Sequence, residues 1–249
     1  MRTAVCLSGQ FRNFKDCYQS LYDNIIQPTN ADLFVYGWSF SDKKASGRDK
    51  IKGRVYHSHP VLPYVWNTKH KDDPTQRFVE NGSEEEFLKL YNPTEYKFEE
   101  CLAFLKTNKF DFPNKAPETS AERMMCMFYT NFKCFNMIDP TDYDVIFRCR
   151  TEITYNRKVS VRDLLSVIEK KLVIPYGLDG RGGYQDSFAF GSPELMSMYS
   201  SLYYRIESYA AKGEMVHPEH MLKYHLTTMN VPVKRIDFPM RLRGVPYHD

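Results

Sequence analysis

The chain has 249 residues, 42% of them hydrophobic and 26% charged, a composition that excludes intrinsic disorder and collagen-like repeats. Thirty-four Lys and Arg against 31 Asp and Glu leave a net charge of +3, too small for a dedicated nucleic-acid binder, so no nucleic-acid partner is expected. No apolar run approaches the ~20 residues of a membrane-spanning helix and the amino-terminal stretch lacks a signal peptide's apolar core, which predicts a cytoplasmic protein without a transmembrane segment.

Residues 3–7 are apolar and run into Ser8-Gly9-Gln10, as a buried strand entering a tight loop does. Phe14, Cys17, Leu21 and Ile25 follow at helical spacing, with Asn13 placed to cap the helix and Pro28 beyond its end. Residues 31–37 form a second strand, and strand, helix and strand in that order predict a βαβ unit with a parallel pair. Residues 41–118 are an elaborated region: a basic stretch (Lys43, Lys44, Arg48, Lys50, Lys52, Arg54), a stretch rich in His and Pro that carries His57 and His59, and a short helix over 84–90. The basic stretch is a solvated loop or a contact for an anionic acceptor or membrane surface.

Thr119-Ser120-Ala121-Glu122 reads as a capping box, followed by Met125, Phe128, Phe132 and Phe135 at helical spacing to an end near Asp139-Pro140. Arg123, Thr130 and Lys133 share the other side of that helix, either as plain surface or as a border to a bound donor. Residues 143–149 and 172–176 are further buried strands, and 187–191 a short one. Ser192-Pro193-Glu194 opens a helix with the stripe Leu195, Met198, Leu202, Ile206 and Tyr209, which Gly213 ends. Pro218-Glu219 begins a helix to about Met229, and 231–236 are a last strand. No repeat or linker divides the chain, so one α/β domain over 1–249, a mixed sheet flanked by helices, is expected. The six cysteines show no CxxC spacing and read as reduced core thiols, not as a disulfide framework or zinc site.

In open α/β sheets ligands bind beyond the carboxyl ends of the strands, and three polar clusters fall at such ends. In Ser8-Gly9-Gln10-Phe11-Arg12, glycine lets backbone amides approach a phosphate and Arg12 offers a planar fork; a plain turn is the alternative. In Arg148-Cys149-Arg150-Thr151-Glu152, two guanidinium groups project the same way, which calls for an anion such as a diphosphate or for internal carboxylates. In the glycine-rich loop 177–187, Asp179, Arg181, Gln185 and Asp186 precede a strand; Asp186 is placed either to take a proton from a hydroxyl or to cap the turn. His217-Pro-Glu-His220 with His225 has the look of a metal cluster, but the spacing suits cap and first-turn residues better. Trp38, at the second strand's end, is placed to stack on a base or sugar or to pack in the core.

The blocks 4–12, 31–38, 143–152 and 185–192 resemble those of small polysaccharide-type glycosyltransferases found in bacterial surface-glycan clusters and in large DNA viruses of algae, where such enzymes glycosylate the major capsid protein. The resemblance implies a GT-A type fold, a single Rossmann-like α/β domain binding a nucleoside-diphosphate sugar at the first βαβ unit and an oligosaccharide or glycoprotein acceptor opposite, in the host cytoplasm if viral. Ser8, Gly9, Gln10, Arg12, Trp38, Arg123, Arg148, Arg150, Glu152 and Gln185 would then border the donor, with Asp186 as catalytic base and Glu219 behind it; Arg241 and Arg243 are further cations for the diphosphate. Most GT-A enzymes hold Mn²⁺ or Mg²⁺ on an Asp-x-Asp motif after the central strand. Here that position carries Arg148-Cys149-Arg150-Thr151-Glu152, one carboxylate and two cations, which points to metal-independent transfer; with Asp186 taking only the proton, the transfer inverts the anomeric centre. A non-catalytic glycan- or nucleotide-binding domain is the alternative; a sulfo- or phosphotransferase is disfavoured because no GxxxxGK[ST] loop is present.

Overall fold

A computed structural model describes residues 1–11, 13–39, 48–51, 54–58, 63–66, 82–117 and 119–242; within 48–66, and at residue 242, it describes the backbone alone. Strand β1 (Thr3–Gly9) leads into a helical run of three parts, α1 (Phe14–Leu21), a π-helical turn (Tyr22–Ile26) and α2 (Gln27–Thr29), and then into β2 (Asp32–Trp38). Phe14, Cys17, Leu21 and Ile25 are all buried, as their spacing requires. Asn13 does not cap with its side chain: it takes a left-handed conformation (φ 51°), and its carbonyl accepts from the amides of Asp16 and Cys17. Pro28 does not follow the helix but lies in the first turn of α2, where proline's missing N–H is tolerated.

Within the elaborated region β3 (Arg48–Ile51), β4 (Arg54–Ser58) and β5 (Pro63–Trp66) make an antiparallel sheet of their own. The chain continues through α3 (Glu84–Tyr91), β6 (Glu95–Glu99), α4 (Cys101–Thr107), α5 (Ala121–Phe135), β7 (Val145–Cys149), β8 (Ile153–Tyr155) and α6 (Val161–Ile168). It ends with β9 (Leu172–Pro175), β10 (Ala189–Gly191), α7 (Pro193–Ser200), α8 (Ile206–Ala211), α9 (Pro218–Thr228), β11 (Val233–Ile236) and β12 (Met240–Leu242). Ser120, not Thr119, caps α5 by accepting from the Arg123 amide, and the helix stops at Phe135. Thr130, expected on its outer side, is fully buried, its hydroxyl returned to the Met127 carbonyl at 3.0 Å. The stripe from Leu195 to Tyr209 belongs to α7, a 3-10 turn (Ser201–Tyr204) and α8 in succession, not to one helix.

Seven strands form the main sheet in the order β11-β9-β10-β7-β1-β2-β6. Every pairing is parallel except the two made by β10, which runs against β7 and β9. β1 is an interior strand beside the central β7: Cys6 lies opposite Phe34 of β2 on one side and Arg148 of β7 on the other. Side chains alternate between two faces, as the strand period of two dictates. Ala4, Cys6, Phe34, Tyr36 and Ile146 pack with Met125, Phe128, Leu195 and Leu222 of α5, α7 and α9. Val5, Leu7, Leu33, Val35 and Phe147 pack on the opposite face with Phe14, Leu21, Phe87 and Val167. Helices therefore cover both faces of an α/β sheet, and each fully buried Val, Leu or Phe contributes about 1.5–3 kcal/mol to that sandwich. Among the described residues no helix is long and apolar enough to cross a membrane.

Candidate functional site

The chain order fixes where a ligand fits. From β1 the chain goes to β2 on one side and, after β6, crosses back to β7 on the other, so the carboxyl ends of β1 and β7 flank a topological switch point. The reversed direction of β10 adds to this edge: residues just before it, Gln185 to Ser187, arrive where the parallel strands end. Three stretches thus converge, the first more than a hundred residues before the other two. At the end of β1, Gly9 has φ 119°, a conformation other residues rarely adopt, and Gln10 is held by the Thr151 hydroxyl, which donates to its carbonyl at 2.8 Å. The Ser8 hydroxyl is buried there without a hydrogen-bond partner.

The two arginines of β7 and its exit differ in their surroundings. Arg150 bonds Glu152, lies 3.8 Å from Asp186 and touches the Met127 sulfur at 3.7 Å. Burial alone would ease the proton off its guanidinium, but the charges of Glu152, Asp186 and Glu219 outweigh that and raise its pKa. Arg148 is 1% exposed and donates to the Cys149 carbonyl; among the described residues no carboxylate lies within ion-pair distance of it. Its charge reaches Tyr199 of α7 and Cys134 of α5, where it offsets part of the upward shift that burial imposes on the phenol and the thiol. The expectation of internal ion pairs holds for Arg150, and Arg148 departs from it.

Asp186 is buried and held by its neighbours: Ser187 donates to its Oδ1 at 3.4 Å and the Tyr199 hydroxyl to its main-chain carbonyl at 3.2 Å. The carboxylate that fixes the turn is Asp179, which accepts from the Gln185 amide at 3.0 Å and pairs with Arg235 at 2.8 Å. Gln185 is fully buried, its Nε2 reaches the Pro175 carbonyl at 3.5 Å and its Oε1 has no partner.

Glu219 enters from the first turn of α9. The loop presses closely on that turn: a Cβ on Gly183 would overlap the main chain of Glu219 and His220, and the Tyr184 amide donates to the Glu219 carbonyl at 3.0 Å. Burial first, and the charge of Asp186 second, push the Glu219 carboxyl up to about 8. Its Oε2 is 2.9 Å from His217 Nδ1, but the two are not aligned for a hydrogen bond.

The remaining candidates lie as follows. Arg123 is one helical turn before Met127, on the side of α5 that meets Arg150. Trp38 is buried in stacking contact with Tyr129 (5.7 Å, 13°) and beside Phe104, so its ring is taken up by the core. Arg241 lies in β12, where its carbonyl accepts from Thr154. Arg12, Arg243, Lys43, Lys44, Lys52 and His59 lie outside the described residues, as do the side chains of Arg48, Lys50, Arg54 and His57. Two contributors were not singled out in the sequence: Met127, at helical spacing from Arg123, and Tyr199, whose hydroxyl anchors Asp186 from within an apolar stripe.

The donor set does not suit a divalent cation. Glu152 is tied to Arg150 and Asp186 lies beside the same guanidinium, and among the described residues no three His, Cys, Asp or Glu gather at ligand spacing. The histidines separate: His217 faces Glu219, His220 meets Glu214 at 3.3 Å, and His225 is buried in the core against Tyr209 at 2.9 Å. No protein-family model and no curated protein matches this sequence.

Proposed function

We propose that this chain is a nucleotide-sugar-dependent glycosyltransferase of the GT-A type, which moves a sugar from a nucleoside-diphosphate donor to a hydroxyl of a glycan or glycoprotein. The observation that carries the reading is Arg148, a buried guanidinium without a carboxylate partner among the described residues, at the topological switch point of the sheet. A buried cation of this kind is stabilised when an anion arrives. The unpartnered Ser8 hydroxyl and Gln185 Oε1 at the same edge offer further polar contacts to a donor.

Transfer needs the leaving diphosphate stabilised, the acceptor oxygen deprotonated and both held in line. Arg148 and Arg150 supply the positive charge. An incoming diphosphate competes with Asp186 for Arg150, and that competition releases the carboxylate as the base. The acceptor oxygen then attacks the anomeric carbon, the bond from that carbon to the diphosphate oxygen breaks, the electron pair leaves with the diphosphate, and Asp186 takes the hydroxyl proton. A single displacement of this kind inverts the anomeric centre. No step passes through a metal ion, because the carboxylates present do not fit one.

The ion pairs of Arg150 favour a second reading, a binding domain whose sheet edge is already neutralised and grips a glycan or nucleotide without chemistry. Thermal-shift screening against nucleoside diphosphates and their sugars, with and without Mn²⁺, tests both readings, since a ligand that favours the native form raises its melting point. Stabilisation by a donor together with its slow hydrolysis supports the transferase. Stabilisation with the donor left intact, in the presence of any acceptor, supports the binding domain, and no stabilisation by any diphosphate overturns both.

A further inference from the structure

Helix α6 is set into the fold with its apolar side outward. Asp163 and Ser166 are buried together with Val167, whereas Val161 is 77%, Leu165 49% and Ile168 64% exposed. At the helical repeat the three fall within roughly 60° of one another and make a single stripe. The helix cannot roll to hide it. Asp163 accepts from Arg157 at 2.7 and 2.9 Å and from the Ser160 amide at 2.8 Å, while Val167 is part of the core beneath.

The rim of the stripe is cationic. Lys158, Arg162 and Lys170 are exposed, and among the described residues none has a carboxylate within ion-pair distance. The exposed carboxylate next to them, Glu169, is already held by Lys171 at 2.9 Å and Lys234 at 3.9 Å. Apolar side chains projecting between unpaired cations match an anionic lipid surface, whose acyl boundary takes the former and whose headgroups take the latter. A second copy of the chain fits less well, because a two-fold contact would press the same cations together.

We propose that α6 docks this protein on the surface of an anionic bilayer, with Val161, Leu165 and Ile168 inserted at the interface and Lys158, Arg162 and Lys170 on the headgroups. None of these six side chains is among the residues placed at the sheet's switch point, so this inference stands whether or not that edge binds a nucleotide sugar.

The test is flotation of the purified full chain with vesicles of phosphatidylcholine alone or of phosphatidylcholine with phosphatidylserine. The wild type should float only with the anionic vesicles, and less as salt is raised. Replacing Leu165→Asp together with Ile168→Asp should cut the bound fraction about tenfold, and Arg162→Glu roughly fivefold. Both changes fall on exposed side chains, and unchanged thermal melts would show that the fold is intact. Failure of the wild type to float at low salt overturns the proposal, as does equal flotation of the double variant. A concentration-dependent dimer in ultracentrifugation that Leu165→Asp dissolves, without flotation, overturns it in favour of self-association.

Discussion

Nη1 of Arg150 stands 3.8 Å from Oδ1 of Asp186, and the same guanidinium also holds Glu152. Arg148, two residues earlier on the strand, holds no acid among the described residues. The two arginines should therefore respond in opposite ways to removal. Arg150→Met leaves two buried carboxylates without their cation and should lower stability by about 3–5 kcal/mol. Arg148→Met strands no carboxylate and should change stability by less than about 1 kcal/mol, while it abolishes stabilisation by a diphosphate. Urea midpoints of both variants, with and without nucleoside diphosphate, measure this; equal destabilisation would give Arg148 a structural role.

Asp186 faces Arg150 through its carboxylate and is tied to the core through its main chain, which Tyr199 anchors at 3.2 Å. Asp186→Asn keeps that anchor and removes the proposed base. Turnover in a purified transfer assay should fall by about 10²- to 10⁴-fold with donor binding retained. Full activity of the variant would exclude Asp186 as the proton acceptor.

Glu219 has a pH signature. Its carboxyl is raised from 4.5 to about 8, so between those values the native state keeps a proton that the unfolded state has lost. Stability falls as pH rises through that window, and this contribution is gone above about pH 8. Glu219→Gln cannot ionise. Its melting temperature should decline less steeply than that of the wild type from acid to pH 8 and exceed it at the alkaline end; parallel curves would mean that Glu219 is charged at neutral pH.

Gly183 and Gly177 test the loop. A methyl group on Gly183 has no room against the main chain of α9, whereas one at Gly177, at φ 91°, meets nothing within 4 Å and suffers only backbone strain. Gly183→Ala should lower stability by about 1–3 kcal/mol and displace Glu219, and Gly177→Ala by about 1 kcal/mol. Chemical denaturation ranks the two, and the reverse order would contradict the close packing of loop and helix.

The first βαβ unit was legible because two short apolar runs, the first closed by turn residues, flank a helix whose Phe14, Cys17, Leu21 and Ile25 fall on one side. The edge strand β6 was not, since Glu95-Tyr-Lys-Phe-Glu99 has little burial to pattern it and owes its conformation to pairing with β2. The direction of β10 also escaped the sequence, because an apolar run of three residues carries no sign of which neighbour it will oppose. In the site, chain order brought Ser8, Arg148 and Asp186 forward as strand-end residues. What it could not separate was which carboxylate each arginine would find, a matter of tertiary distance: Arg150 meets Asp186, and Asp179 goes to Arg235. Thr130 was misplaced for a related reason, since a hydroxyl that satisfies itself on its own helix can be buried as readily as exposed.

No disulfide joins the six cysteines, all of them buried, and they are spread over β1, α1, α4, α5 and β7. A thiol so shielded reacts with an alkylating reagent only while its surroundings are open. The molecule thus carries built-in labelling stations on several parts of its architecture. Mass spectrometry of the modified peptides can rank how often each part breathes, with no probe to be engineered in.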